Sequence, residues 1–214
     1  MSNWIVPVAG WLVFAVWFVH LAPIWPAVWT RWLRRRAEGL PVPSEWPLLT
    51  VIVPARDEGP NVEAGLRSLL ASDYPRFEII AVDDRSTDET GAIMDRLAAG
   101  DPRLRVIHVG ELPVEWLGKN HAMHVAAQSA RGEVLLFTDG DVLFQPETLR
   151  LAMLVFERQR LDHLCLLCEF IPGGFWENAA VAYFGMVFFA SVKPWLIATP
   201  YAKSGRAPPS GGDH

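Results

Sequence analysis

Short, mostly apolar runs alternate with amphipathic stretches through the middle of this chain. The runs are Leu48–Val53, Phe77–Val82, Leu104–Val109, Val134–Phe137 and Leu164–Phe170. Runs this short and this apolar predict strands buried on both faces, the pattern of a parallel sheet. The stretches between them carry the helical period instead. Pro60 stands at a helix start, with Val62, Leu66, Leu69 and Leu70 along one face. Ser86-Thr87-Asp88-Glu89 has the form of a capping box, and Ile93, Met94 and Leu97 follow as a buried stripe. Lys119–Ser129 turns Ala122, Val125 and Ala126 inward, and a helix from Pro146 gathers Leu149, Ala152, Met153 and Phe156. Strands alternating with such helices predict an α/β fold: a mostly parallel sheet covered by helices on both faces.

Both ends of the chain depart from this alternation. From Trp4 to Thr30 there is no Asp, Glu, Lys or Arg, which is more than the ~20 residues a helix needs to cross a bilayer. Pro23 and Pro26 end the best span, so the predicted transmembrane helix runs from Trp4 to Leu21. Trp4, Trp11, Trp25, Trp29 and Trp32 fit interfacial belts. A cleaved signal peptide is the rival, but it would want a basic start, and the basic residues lie on the other flank: Arg31, Arg34, Arg35 and Arg36. The positive-inside rule then places that flank, and everything after it, in the cytoplasm.

The expected organisation is therefore an anchor with a basic flank over residues 1–36 and a Pro-rich linker over 37–47. The α/β domain follows over 48–170, an apolar segment over 171–200, and a disordered tail over 201–214. The setting this predicts is a bacterial inner (plasma) membrane with a single-pass anchor. Within the apolar segment, Ala179–Val192 carries Tyr183, Phe184, Met186, Phe188 and Phe189 but is short for a span. A helix in the membrane interface or against an acceptor domain and a buried core helix are the two readings.

Composition narrows the functions. A hydrophobic fraction of 51% is high for a soluble domain, and the two end segments hold the excess. The net charge of −5, with basic residues clustered only at the anchor flank, excludes a nucleic-acid partner. Cys165 and Cys168 are too few for a disulfide-built fold. They could form a redox pair or half a zinc site, but inside an apolar run they are expected as buried core thiols. His121 and His124 could meet a metal at i and i+3, though a partly exposed helix face is the plainer expectation.

The chemistry gathers at strand ends, where open α/β sheets bind ligands. Val134–Phe137 runs into Thr138-Asp139-Gly140-Asp141. Such a D-x-D can hold one divalent cation on hard oxygens, or it is a polar turn whose aspartates cap the next helix. Phe77–Val82 ends in Asp83-Asp84, and Leu48–Val53 in Pro54-Ala55-Arg56-Asp57-Glu58. Three acidic strand ends on one rim repel one another unless a cation or hydrogen-bonding ligand joins them, and jointly they favour a site.

The ordered set Val51-Ile52-Val53-Pro54-Ala55-Arg56-Asp57-Glu58, Val82-Asp83-Asp84-Arg85-Ser86-Thr87-Asp88, Gly118-Lys119 and Asp139-Gly140-Asp141 resembles the family-2 nucleotide-sugar glycosyltransferases of the A-type fold. The N-terminal span and Gly173-Gly174-Phe175-Trp176-Glu177 look like the membrane-bound branch similar to ceramide glucosyltransferases and hopanoid-associated enzymes. The resemblance implies that 48–170 is a nucleotide-sugar-binding domain. It implies that Pro54, Ala55 and Glu58 line the nucleotide pocket, that Asp83 bonds the uracil, and that Asp139 lies beside the ribose. It further implies that Lys119 faces the nucleotide and that Asp141 binds Mg²⁺ or Mn²⁺ bridging the diphosphate. The partners implied are a UDP-sugar donor, a lipid or lipid-linked acceptor, and the membrane. A polyprenyl-phosphate sugar transferase shares the first half of the pattern. The family's general base and Q-x-x-R-W motif have no counterpart after Asp141. The expectation is thus an inverting transferase lacking its acceptor half, with a catalytically dead nucleotide-binding scaffold as the alternative.

Overall fold

The computed structural model describes Val8, Trp11, residues 33–166, Cys168 and residues 174–192. The chain divides into two compact units, Ala37–Cys168 and one made from the two ends, Met1–Arg36 with Glu169–His214.

In Ala37–Cys168 the strands are β1 (Leu49–Ala55), β2 (Phe77–Asp84), β3 (Leu104–Val109) and β4 (Val134–Phe137), all parallel in the order β3-β2-β1-β4. A short helix α1 (Leu33–Ala37) precedes them. The connecting helices are α2 (Gly59–Leu70), α3 (Thr90–Gly100) and α4 (Gly118–Ser129), and α5 (Thr148–Arg158) follows β4.

Side-chain alternation along the strands splits the core in two. Leu49, Val51, Val53 and Ala55 of β1 and Phe77, Ile79 and Ala81 of β2 face one side, where they meet Val62, Leu66 and Leu69 of α2, Met94 of α3 and Leu149 and Met153 of α5. Ile52, Ile80 and Val82 face the other and meet Ala122 and Ala126 of α4. Ile52 and Ile80 have no exposed surface, so truncating either to Ala would cost ~2–5 kcal/mol.

Three expectations need correction. β4 is not a fully buried central strand; it is the edge of the sheet among the described residues, with only Val134 and Leu136 turned to the core. Leu135 and Phe137 face the α4 side, but α4 lies over β1 and β2, so they remain 38% and 48% exposed. Leu164–Leu166 forms no strand, since a strand needs a partner and this run pairs with none of the four; the rest of the expected Leu164–Phe170 strand lies outside the described residues apart from Cys168. Cys165 and Cys168 are consequently exposed free thiols rather than core ones.

β1 and β2 each extend two residues past their expected ends, which makes Pro54, Ala55, Asp83 and Asp84 strand residues. Proline in a central strand removes a ladder donor, and the register explains why it is tolerated. Ile52 O accepts from Thr138 N, so Ile52 faces β4, and two residues on Pro54 faces the same way. β4 pairs with β1 only as far as Ile52↔Phe137, so the missing donor falls where no strand is paired.

In the other unit, α6 (Phe175–Val192) is apolar around its circumference. Phe175, Trp176, Tyr183, Phe184, Val187 and Phe188 are exposed, which is not the pattern of a buried core helix. No helix among the described residues is long and apolar enough to cross a membrane. The predicted Trp4–Leu21 span lies outside the described residues except for Val8 and Trp11, and the 201–214 tail lies wholly outside them.

Candidate functional site

The turns after β1 and β2 are stitched together by their own polar residues. Asp57 and Arg85 both sit in the left-handed backbone region, at φ 54° and φ 60°. Few residues other than glycine adopt that region without support. Asp57 Oδ1 accepts from Thr87 N at 2.7 Å and from Thr87 Oγ1 at 3.1 Å, while Asp57 N donates to Ser86 Oγ. Asp88 replaces the expected capping box. Its Oδ1 accepts from Thr90 N and Oγ1, and its Oδ2 accepts from Gly59 N at 3.1 Å. One carboxylate thus caps both α3 and α2, and the Thr90 hydrogen bonds hold it below the usual aspartate range. Thr90 Oγ1 in turn accepts from Glu58 N at 2.9 Å, which fixes the Glu58 backbone.

Glu58 points its carboxylate at the D-x-D turn. A Cβ added at Gly140 would lie 2.6 Å from Glu58 Oε2 and 3.2 Å from Ala55 Cβ. A Cβ at Gly65 of α2 would collide with the Gly140 carbonyl. Gly140 is therefore required by close approach, not by an unusual φ. Glu58 Oε2 is buried without a hydrogen-bond partner. Its carboxyl is pushed up first by burial, then by the charges of Asp141 and Asp139, with Lys119 pulling the other way.

Lys119, in the first turn of α4, pairs with Asp139 across the rim. Asp141 is exposed, and its side chain makes no hydrogen bond or ion pair among the described residues. The Cys168 thiol is pushed up by partial burial and then by Asp139 and Asp141.

The acids of β2 are differently placed. Asp83 accepts from Ser86 N at 3.1 Å and meets His108 Nδ1 at 2.9 Å. Asp84 is 4% exposed, on the opposite face, in a two-point pair with Arg85 at 2.8 and 3.1 Å. That pair seats against Gly118, where a Cβ would collide with Asp84 Oδ2.

The structure therefore brings Glu58, Asp139, Asp141 and Lys119 into one electrostatic group. Asp83 stands one strand away on the same rim, and Pro54 and Ala55 are buried beneath it in β1. No ready-made cluster of three metal-ligating side chains exists among the described residues. The donor chemistry nonetheless fits a divalent cation: Glu58, Asp139 and Asp141 offer hard carboxylate oxygens near enough to influence one another, Lys119 is the counter-charge, and the Glu58 Oε2 oxygen is orphaned.

His121 and His124 do not form a metal pair; both rings pack on Trp116, and His124 Nε2 lies 3.1 Å from Gln128 Nε2. Trp116, Asn120, Met123, His124, Ala127 and Phe137 line an open, mostly apolar depression of about 320 Å³ beside the Lys119 turn. Sequence reasoning missed Asp57, Asp88, Thr90 and His108. Asp88 was visible only as part of a capping box, and His108 gave no signal, because its pairing with Asp83 depends on β2 running on to Asp84.

Residues 50–197 match the family described as Glycosyl transferase family 2. The uncharacterized glycosyltransferase EpsJ of Bacillus subtilis is 36% identical over 95 residues, covering 44% of this chain and 26% of EpsJ. Glycosyltransferase AglD of Haloferax volcanii is 36% identical over 101 residues, covering 44% of this chain and 15% of AglD. The poly(ribitol-phosphate) beta-N-acetylglucosaminyltransferase TarS of Staphylococcus aureus is 31% identical over 126 residues, 58% of this chain and 21% of TarS. The chain thus spans about a quarter or less of the length of these relatives. Among solved structures, mannosyltransferase PcManGT from Pyrobaculum calidifontis, in complex with GDP-Man and Mn²⁺, superposes with a TM-score of 0.51 at 30% identity, covering 67% of this chain and 42% of its own.

Proposed function

This chain belongs to glycosyl transferase family 2, and on that premise we propose that it binds a UDP-sugar at the carboxyl ends of β1, β2 and β4 and passes the sugar to a lipid or lipid-linked acceptor. The observation that carries the reading is the buried, unpartnered Glu58 Oε2, whose carboxyl is pushed up by the charges of Asp141 and Asp139. Such a group is unfavourable by itself and favourable around a diphosphate carried on a cation. The bound GDP-Man and Mn²⁺ of PcManGT support a nucleotide sugar and a divalent ion.

Asp141, with Asp139 beside it, is the group that would hold Mg²⁺ or Mn²⁺. A cation held there would supply positive charge against the charge building on the leaving diphosphate. Lys119 sets the Asp139 carboxylate and adds positive charge to the same rim. Glu58, with its backbone pinned through Thr90, lays its carboxylate against Gly140 and adds negative charge to the same rim. Asp83 accepts the N–H of the base, since an ionised carboxylate is an acceptor only. Pro54 and Ala55 floor the rim from below.

The membrane belongs to the same proposal. The uncharged Trp4–Thr30 stretch, the arginines after it and the exposed aromatic residues of α6 support an anchor in a bacterial inner membrane, a cytoplasmic catalytic domain and an acceptor presented from the bilayer. Deleting 179–195 from an anchor-less chain is expected to abolish vesicle flotation, and unchanged flotation would count against the lipid side.

The deciding experiment is calorimetric titration of UDP and, separately, GDP into the detergent-solubilised protein with and without Mn²⁺. UDP binding that requires the metal is expected. Failure of both nucleotides in both conditions would overturn the donor site, and GDP in preference to UDP would overturn the choice of base.

A further inference from the structure

Strand register sets His108 directly beside Asp83, as Cα partners in the pairing of β2 with β3. The imidazole bridges two acids: Nδ1 lies 2.9 Å from Asp83 Oδ2, and Nε2 lies 3.0 Å from Asp95 Oδ1 on α3. Gly91 makes room for the arrangement, since a Cβ there would lie 2.6 Å from Asp83 Oδ2 and 3.3 Å from His108 Cε1. An ionised carboxylate accepts and does not donate, so both ring nitrogens carry hydrogens when both contacts are made. That species is the imidazolium. Neutral imidazole offers one N–H and one lone pair and can serve only one of the two acids.

Asp83 and Asp95 are the titratable groups that face the ring from β2 and α3. Arg96 on the same helix is turned to Glu63 of α2, and Arg85 to Asp84. Burial draws Asp83 upward, but hydrogen bonds from Ser86 and His108 outweigh it and leave the carboxyl below its ordinary value. His108 is raised above its ordinary value by its bond to Asp83 first and to Asp95 second. With Ser86 N on Oδ1 and His108 on Oδ2, both Asp83 oxygens are fixed in direction, and each keeps a lone pair for a further donor.

We propose that His108 is a positioning residue for donor-base recognition: it holds the Asp83 carboxylate in one orientation, and Asp95 holds the ring from its other nitrogen. This rests on the assignment of Asp83 to the base under the function proposed above. The base contribution to affinity then falls as pH rises and His108 loses its proton, because the ring is released from one acid. The diphosphate contribution does not follow it.

The test is calorimetric titration of the full solubilised chain with UDP and with inorganic pyrophosphate, in Mn²⁺, from about pH 6 to about pH 8. UDP affinity is expected to fall ~3–10-fold over that range, the scale of one charge-assisted contact, while pyrophosphate stays level. His108→Gln should bind UDP more weakly at the acid end and lose the pH dependence. Asp95→Asn should keep the acid-end affinity and move the midpoint to lower pH, and the His108 ring signal in NMR should move with it. Weakening of UDP and pyrophosphate alike, with an unmoved midpoint, would mark a merely structural histidine and overturn the inference. A flat UDP profile in a wild-type protein that binds UDP would overturn it too, leaving the nucleotide reading intact. No UDP binding by the wild type at any pH would overturn both. If His108→Gln fails to fold, the Asp95→Asn midpoint decides.

Discussion

β2 and β4 both run into a pair of aspartates on the same rim, and the surroundings of the two pairs are opposite. At the end of β2 each acid has protein partners: Ser86 and His108 for Asp83, Arg85 for Asp84. At the end of β4, Asp139 has only Lys119, Asp141 has no polar partner among the described residues, and both push up the buried carboxyl of Glu58. The difference separates charge that the fold orients from charge that it leaves open. The β2 acids, Asp83 included, are held by protein partners, whereas Asp141 and the Glu58 carboxylate lack polar side-chain partners among the described residues. Burial follows the same division, since β2 is enclosed on both faces and β4 shows Leu135 and Phe137 to solvent.

The contrast can be broken by exchanging which quantity each acid controls. Asp141→Ala should cost metal-dependent nucleotide binding more than the ~10–100-fold typical of removing a residue behind a metal ligand, with unchanged urea stability. Equal nucleotide affinity in calorimetry would remove Asp141 from the site. Asp84→Ala should do the reverse, lowering stability because it removes the two-point partner of a half-buried Arg85, which a urea midpoint reads directly. Glu58→Gln sharpens the comparison. A carboxyl whose pKa is raised by folding is penalised once ionised, so the wild type loses stability as pH climbs from the ordinary glutamate value to the raised one. Glutamine does not titrate and should be more stable at neutral pH, with no gain in acid, while binding metal and nucleotide more weakly. Thermal melts at two pH values check the sign. Leu135→Thr should change stability by less than ~0.5 kcal/mol, since that side chain is already partly in water. A larger loss would mean that the outer face of β4 is covered in solution.

The fold was largely legible because burial on both faces leaves a simple trace. Leu104–Val109 agrees residue for residue, and the helix around Pro60 carries its expected inward residues; in the helix around Ala122, Ala122 and Ala126 turn inward as expected, but Val125 is not in the core, where Met123 and Ala127 pack instead. What failed was context. Val134–Phe137 is as apolar as Leu49–Val53, and composition does not register that a helix covers one and not the other. Leu164–Leu166 has the content of a strand but no partner. At the site, acids could be counted at strand ends, but which of them the protein satisfies depends on partners far along the chain. Asp88 reaches Gly59 and His108 reaches Asp83 across 29 and 25 positions, so Asp88 looked like a local cap and His108 like nothing at all.

Pro54 has one more consequence. Sheets grow by hydrogen bonding at an open edge, and beyond Ile52 the β1 backbone presents a ring nitrogen where a growing ladder needs a donor. A strand extended over the mouth from that side would lack one ladder donor at any pH, salt concentration or ligand level. The deficit is set by a covalent ring rather than by a balance of weak forces. Replacing Pro54 with valine would restore the missing donor and remove that built-in obstacle to pairing.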